Sequence, residues 1–251
     1  MTQRLFARMG FPEASQLGKR VFKKLFVENA PLTAADKKSL QKDVEDVTWQ
    51  YTLKPSTTPI KAYEDAKREY LEVAVLEVAM RSRRSCVRLA EVIHRAIPYP
   101  LLIAFSFESE CCLSVAPKRF SQAEKGVIVA EECFTTAWIS MDSPTEIDRA
   151  FLDSLALGGL PHTNFLAFYS AWGDRFIAYD CALLSGSFQV APKADDPAER
   201  RERLATCHQL ETQIADLRAA LNKEAQFNRQ VELNTKIKNA ERRLRQLAAT
   251  L

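Results

Sequence analysis

Glutamates on predicted strands are the first residues of this chain whose type and placement could do chemistry. Glu77 lies in the apolar run Val73 to Met80, and Glu108 and Glu110 lie at a turn between two later apolar runs. Two acids and a lysine on neighbouring strands would hold a divalent ion and set a base beside a phosphodiester, the logic of restriction-type nucleases. The lysine expected two positions after an acid is missing each time. Glu77 is followed by Val78-Ala79, Glu110 by Cys111-Cys112, and Glu72 by Val73-Ala74. These acids read first as solvated edge or turn residues, with a metal-dependent nuclease built on Glu77 and Glu108 or Glu110 as the alternative function.

Nucleophilic catalysis needs a histidine beside a serine or cysteine. His94 falls in a short helix, His162 in a Gly-Gly-Leu-Pro-His turn, and Cys207-His208 on the solvent side or edge of a helical seam. None has a second ligand or triad partner nearby in sequence, so neither a metal nor a cofactor is expected. Phosphate-binding loops of the GxxxxGK[ST] or GxGxxG kind are absent. Cysteines 86, 111, 112, 133, 181 and 207 form no CxxC pair and read as reduced, mostly buried thiols.

Cations carry the stronger signal. Residues 1–42 hold nine Lys/Arg against three acids. Lys19, Arg20, Lys23 and Lys24 form one cluster, and Arg81, Arg83, Arg84 and Arg88 a second. Arg229, Lys236 and Arg243 form a third at heptad spacing, with Phe227 and Asn228 just before it. Clustered cations neutralise phosphates and release counterions, which makes nucleic-acid affinity salt-sensitive. A solvated face is the bland alternative. The arginine-rich strips lack the aromatic interleaving that stacks single-stranded bases, so no reading of bases is expected.

The elements that must position these residues follow from spacing. Thr33 and Asp36 suit a capping box, and Leu40, Val44 and Val47 continue a helix over 33–47. Trp49 to Leu53 alternates as a strand, residues 69–80 suit a buried central strand, and Ser85 to Ala96 is a helix stopped by Pro98 and Pro100. Runs 100–107, 111–117 and 126–137 suggest three antiparallel strands, and helices follow over 145–157, where Gly158-Gly159 offers a positive φ, and after Pro161. Residues 198–251 are rich in helix formers without Gly or Pro, and their two apolar seams change phase near 222–232. The predicted class is α+β: a mixed, largely antiparallel sheet packed by helices, with a C-terminal helical hairpin or coiled-coil extension. The predicted parts are a basic helical segment 1–47, a core 48–190, a linker 191–197 and a helical segment 198–251, the last read as a separable docking element.

No run of eighteen apolar residues occurs and the start resembles no signal peptide, so a cytoplasmic protein without membrane contact is expected. Five strings carry a family resemblance: Gly10-Phe11-Pro12, Trp49 to Pro55, Ala96 to Pro100, Leu160 to Asn164 and Gln226 to Asn234. Their order resembles a bacterial and archaeal family of unknown function, over essentially the whole chain. The resemblance brings no catalytic residues. It implies encoding beside helicases, adenine methyltransferases and type III restriction genes, hence partners of that kind and a part in defence against foreign DNA. Together these readings predict a non-catalytic accessory subunit of an anti-phage or restriction-modification-related system that binds a partner enzyme, DNA, or both.

Overall fold

A computed structural model describes residues 2–124, 126–190 and 196–251. In chain order the elements are α1 (Thr2–Met9), β1 (Gln16–Arg20), α2 (Lys24–Asn29), α3 (Ala34–Lys42), β2 (Val44–Leu53), β3 (Tyr63–Glu64), β4 (Glu69–Tyr70), β5 (Val73–Met80) and α4 (Cys86–Ala96). Then come β6 (Leu101–Phe107), β7 (Glu110–Val115), β8 (Lys118–Phe120), β9 (Ile128–Ala130), β10 (Phe134–Thr135), β11 (Ile139–Ser140), α5 (Glu146–Ser154), α6 (Phe165–Ser185), α7 (Pro197–Leu221) and α8 (Phe227–Ala248). The fold is α+β. The chain divides into two compact units, residues 1–176 and 177–251.

The first unit is built on a seven-stranded sheet of order β1-β2-β5-β6-β7-β10, with β11 also on β7. Every pairing is antiparallel except β5 with β6, which α4 joins as a crossover. One face buries Phe26 of α2, Leu40 of α3, and Leu89 and Ile93 of α4 against Val44, Val47, Leu76, Val78, Ile103, Phe105 and Cys112. On the other, the Tyr169 hydroxyl donates to the Leu101 carbonyl at 2.6 Å and accepts from the Ala116 N–H at 2.9 Å, locking the buried start of α6 to two strands.

Local chemistry explains the boundaries, including those the spacing misplaced. The capping box forms: Thr33 Oγ1 accepts from the Asp36 N–H at 3.1 Å and Asp36 Oδ2 from the Thr33 N–H at 3.0 Å. The helix nevertheless stops at Lys42, and Val44 and Val47 belong to β2. In a regular strand, residues three apart face opposite sides, yet both valines are buried in one cluster. The β2–β5 register shifts between Val44 and Asp46, and this bulge turns both valines the same way, which imitates helical spacing.

The expected strand 126–137 is two fragments, β9 on β8 and β10 on β7, interrupted at Glu131, whose carboxylate meets Arg68 at 3.2 Å and Arg119 at 3.4 Å. Gly158 and Gly159 sit in a 3-10 turn with no left-handed φ. Gly186 supplies that conformation instead (φ 83°), just after α6.

In the second unit α7 and α8 are a helical hairpin around buried Leu210, Ile214, Ile237 and Ala240. The turn over residues 222–226 is where the two seams lose phase, since each helix presents its own stripe to the other. Cys207 is fully buried, a correction to its placement on the solvent side: Leu204, Cys207, Leu210 and Ile214 continue one stripe at three-and-four spacing. Residues 191–195, most of the predicted linker, lie outside the described residues. Among the described residues no helix is long and apolar enough to cross a membrane.

Candidate nucleic-acid interface

Lys19 and Arg20 end β1, the exposed edge strand, and so lie on a strand rather than a helix. The β1–β2 register shifts between Gln16 and Lys19, and Gly18 at that irregularity has φ 59°, which a side chain would strain. Beyond it Lys19 stands opposite Trp49, and Arg20 Nε donates to Asp46 Oδ1 at 2.8 Å. Lys23 Nζ donates to the Val44 carbonyl at 2.5 Å, and Arg81 Nη1 donates to the same oxygen at 3.2 Å. The first two cation clusters, sixty residues apart in sequence, thus meet at the start of β2. Burial, then the neighbouring Arg81 charge, push the Lys23 pKa down. Lys24 is paired with Glu28 at 3.1 Å.

Beside these cations opens a groove of about 660 Å³, lined among others by Phe22, Leu25, Trp49, Pro98 and Tyr99. Phe22 is 71% exposed and Tyr99 45%, and Trp49 meets Tyr99 edge-on with ring centroids 6.3 Å apart. The wall bearing Tyr99 leaves the end of α4, where Pro98 cannot give the N–H that the His94 carbonyl would receive. Lys118, only 1% exposed, supplies the missing donor: its Nζ bonds the His94 carbonyl and, at 2.9 Å, the Ile97 carbonyl. Burial pushes the Lys118 pKa down to about 7.

Other cations of the second cluster are engaged within the fold. Arg88 grips Asp36 with Nε and Nη2 at 2.8 and 2.9 Å and Glu91 with Nη1 at 2.7 Å, holding the Asp36 carboxyl well below the usual range. Arg83 pairs with Glu110 at 2.5 Å and covers the Phe107 ring at 5.4 Å. Arg84 is exposed. In the hairpin unit Phe227 opens α8 at 75% exposure, followed by exposed Asn228 and Arg229, whose Nη1 lies 3.9 Å from Glu224 Oε2, while Lys236 and Arg243 are exposed further along.

The acids do not assemble. Glu77 is level with Ala104, and so with Leu113, on the face opposite Phe105 and Cys112; Glu110 pairs with Phe107 and shares the Phe105 face. The carboxylates of Glu77 and Glu110 therefore leave opposite faces of the sheet, so these two do not form a two-acid site. Glu77 instead accepts from Thr2 Oγ1 at 2.5 Å and Gln50 Nε2 at 2.7 Å, and Glu108 is an exposed turn residue with φ 51°. Among the described residues, no three His, Cys, Asp or Glu are grouped to hold a metal.

One polar cluster escaped the sequence reading. Buried His94 sets Nε2 3.2 Å from Ser114 Oγ, which lies 3.3 Å from Cys133 Sγ, beside a cavity of about 140 Å³. Burial pushes the His94 pKa well below its usual value and the Cys133 thiol up, so imidazole is neutral and thiol protonated. A thiol nucleophile needs the opposite trend.

Trp49, Tyr99 and Lys118 escaped as well, being far from the basic runs in sequence. Phe22 did carry a signal, since it sits between Lys19-Arg20 and Lys23-Lys24. No curated protein and no solved structure matches the chain. The model of one family matches residues 9–244, nearly the whole length, and the chain therefore belongs to the family described as Domain of unknown function (DUF4391).

Proposed function

We propose that the protein is a non-catalytic accessory subunit that binds nucleic acid through the basic end of its sheet and serves a partner enzyme in a defence or restriction-modification-related system. The observation that carries the binding half is the convergence of Lys23 and Arg81 on the Val44 carbonyl, beside Lys19 and Arg20. Asp46 and Glu28 pair with Arg20 and Lys24, and among the described residues Lys19, Lys23 and Arg81 form no direct ion pair, although Asp46 and Glu45 act on Lys23 from nearby. The cations Lys19, Arg20, Lys23, Lys24 and Arg81 still outnumber the acids beside them, Glu28, Asp43, Glu45 and Asp46, which favours an anionic partner. The defence setting, with a helicase, methyltransferase or restriction subunit as partner, rests on the family resemblance alone.

The test is fluorescence anisotropy with a labelled DNA duplex at several salt concentrations. Affinity falls with salt by a log-log slope of roughly 0.9 per neutralised phosphate, and a Lys19→Ala, Lys23→Ala, Arg81→Ala triple variant flattens that slope. A slope unchanged in the variant refutes the assignment of this patch. Capture of a helicase, methyltransferase or restriction subunit by tagged protein from its own cells tests the partner half.

A further inference from the structure

We infer that the groove beside the cation patch takes single-stranded nucleic acid, with unpaired bases stacked on Phe22 and Tyr99 and the backbone along Arg20 and Lys24, which line it, and Lys19, which stands opposite Trp49. This rests on the nucleic-acid reading above and narrows its substrate. A duplex keeps its bases stacked on each other, so exposed aromatic faces beside cations gain little from it. An unpaired strand offers both a charged backbone and free π-faces.

The groove fits that description. Its floor carries Trp49 and Ile97, and its rims carry Phe22 and Leu25 on one side and Pro98 and Tyr99 on the other. Phe22 and Tyr99 expose more of their surface than Leu25, yet the fold spends a buried lysine on holding the Tyr99 wall. Trp49 packs on the core beneath and meets Tyr99 edge-on, which limits the tilt of that ring. Lys19 lies across from Trp49 in the strand register, so a cation flanks the aromatic floor. The carboxylate lining the groove, Glu28, is neutralised by Lys24. An apolar peptide would leave the cations unanswered, and an acidic peptide would leave the aromatic faces with little to stack on.

The test measures anisotropy of the full chain with three labelled probes of equal length: oligo-dT, its duplex with oligo-dA, and an abasic single strand. Oligo-dT should bind tightest. Phe22→Ala and Tyr99→Ala should each weaken oligo-dT by about tenfold, the size of one base–aromatic stack, and leave the abasic strand and the duplex unchanged. Because Phe22 is largely exposed, its variant should melt with the wild type, and that is checked first. Equal binding of all three probes, insensitive to Phe22, overturns this inference while keeping the electrostatic reading. No binding of any probe overturns both. Poly-glutamate bound with the same dependence on Phe22 assigns the groove to an acidic protein and overturns the nucleic-acid inference.

Discussion

Replacing Lys118 by Met isolates the group that holds the Tyr99 wall. The ammonium is 1% exposed and its pKa is lowered from 10.5 to about 7 by burial. Cys133 opposes this shift, Tyr70 bonds only the Lys118 backbone, and His94 beside it is neutral. With a depressed native pKa, the unfolded chain binds the proton more tightly between pH 7 and 10.5, so stability rises with pH across that window and is lost as pH falls back through 7. The full span corresponds to about 5 kcal/mol, an upper bound because the helix C-terminus itself favours the ammonium. From pH 7 to pH 9 the wild type should therefore gain up to about 3 kcal/mol relative to Lys118→Met.

At pH 6 the variant escapes the cost of burying a charge but strands two carbonyls at about 1–3 kcal/mol each, so the two proteins should be close. Urea unfolding at pH 6, 7, 8 and 9, followed by tryptophan fluorescence, measures this, because Trp49, Trp138 and Trp172 all lie within residues 1–176. Buried thiols with raised pKa values impose an opposite trend above pH 8, which cancels in the difference between the proteins. Parallel pH profiles would refute the reasoning, since they would mean that the carbonyl bonds outweigh burial and the native lysine keeps its ordinary proton affinity.

Gly18→Ala meets no atom within 4 Å but forces a side chain onto φ 59°, so it should cost about 1–2 kcal/mol of backbone strain and weaken nucleic-acid binding by displacing Lys19 and Arg20; an unchanged melting temperature would count against the bulge. Ile214→Ala, in the hairpin seam, should cost about 2–4 kcal/mol and lower the thermal midpoint of helical circular dichroism. Glu77→Gln should leave folding intact, and neither protein should cleave labelled DNA with Mg²⁺ or Mn²⁺; wild-type cleavage lost in this variant would reinstate the nuclease. Removing residues 191–251 should lower the melting temperature and speed alkylation of Cys181, which is 1% exposed and has Arg200 of α7 as a hydrogen-bond partner; unchanged labelling would favour a separable docking element.

Periodicity alone carried α4, α5, α6 and the helical character of residues 198–251, because helix stripes, capping boxes and proline stops are local properties of the chain, whereas the choice of a hairpin over an extended coiled coil came from the packing of α7 on α8. It carried the central place of β5 too, since a strand buried on both faces must be apolar at nearly every position. Composition set the absence of long apolar spans, and the excess of six cations over acids in residues 1–42 marked the patch. The bulge in β2 defeated the same reading, since an extra residue shifts alternation into a three-residue spacing that only the β5 partner reveals. Tertiary structure alone decided which charges remain available: Arg88 and Arg83 pair with Asp36 and Glu110, partners some fifty and thirty residues away that no window of sequence contains. It also decided the fate of the acids, whose separation onto two faces depends on strand register across β5, β6 and β7. Apart from Phe22, which the flanking lysines and arginine marked, the groove belongs to this second kind, because Trp49 and Tyr99 are brought beside it by long-range pairing and by a buried lysine at a proline-truncated helix end.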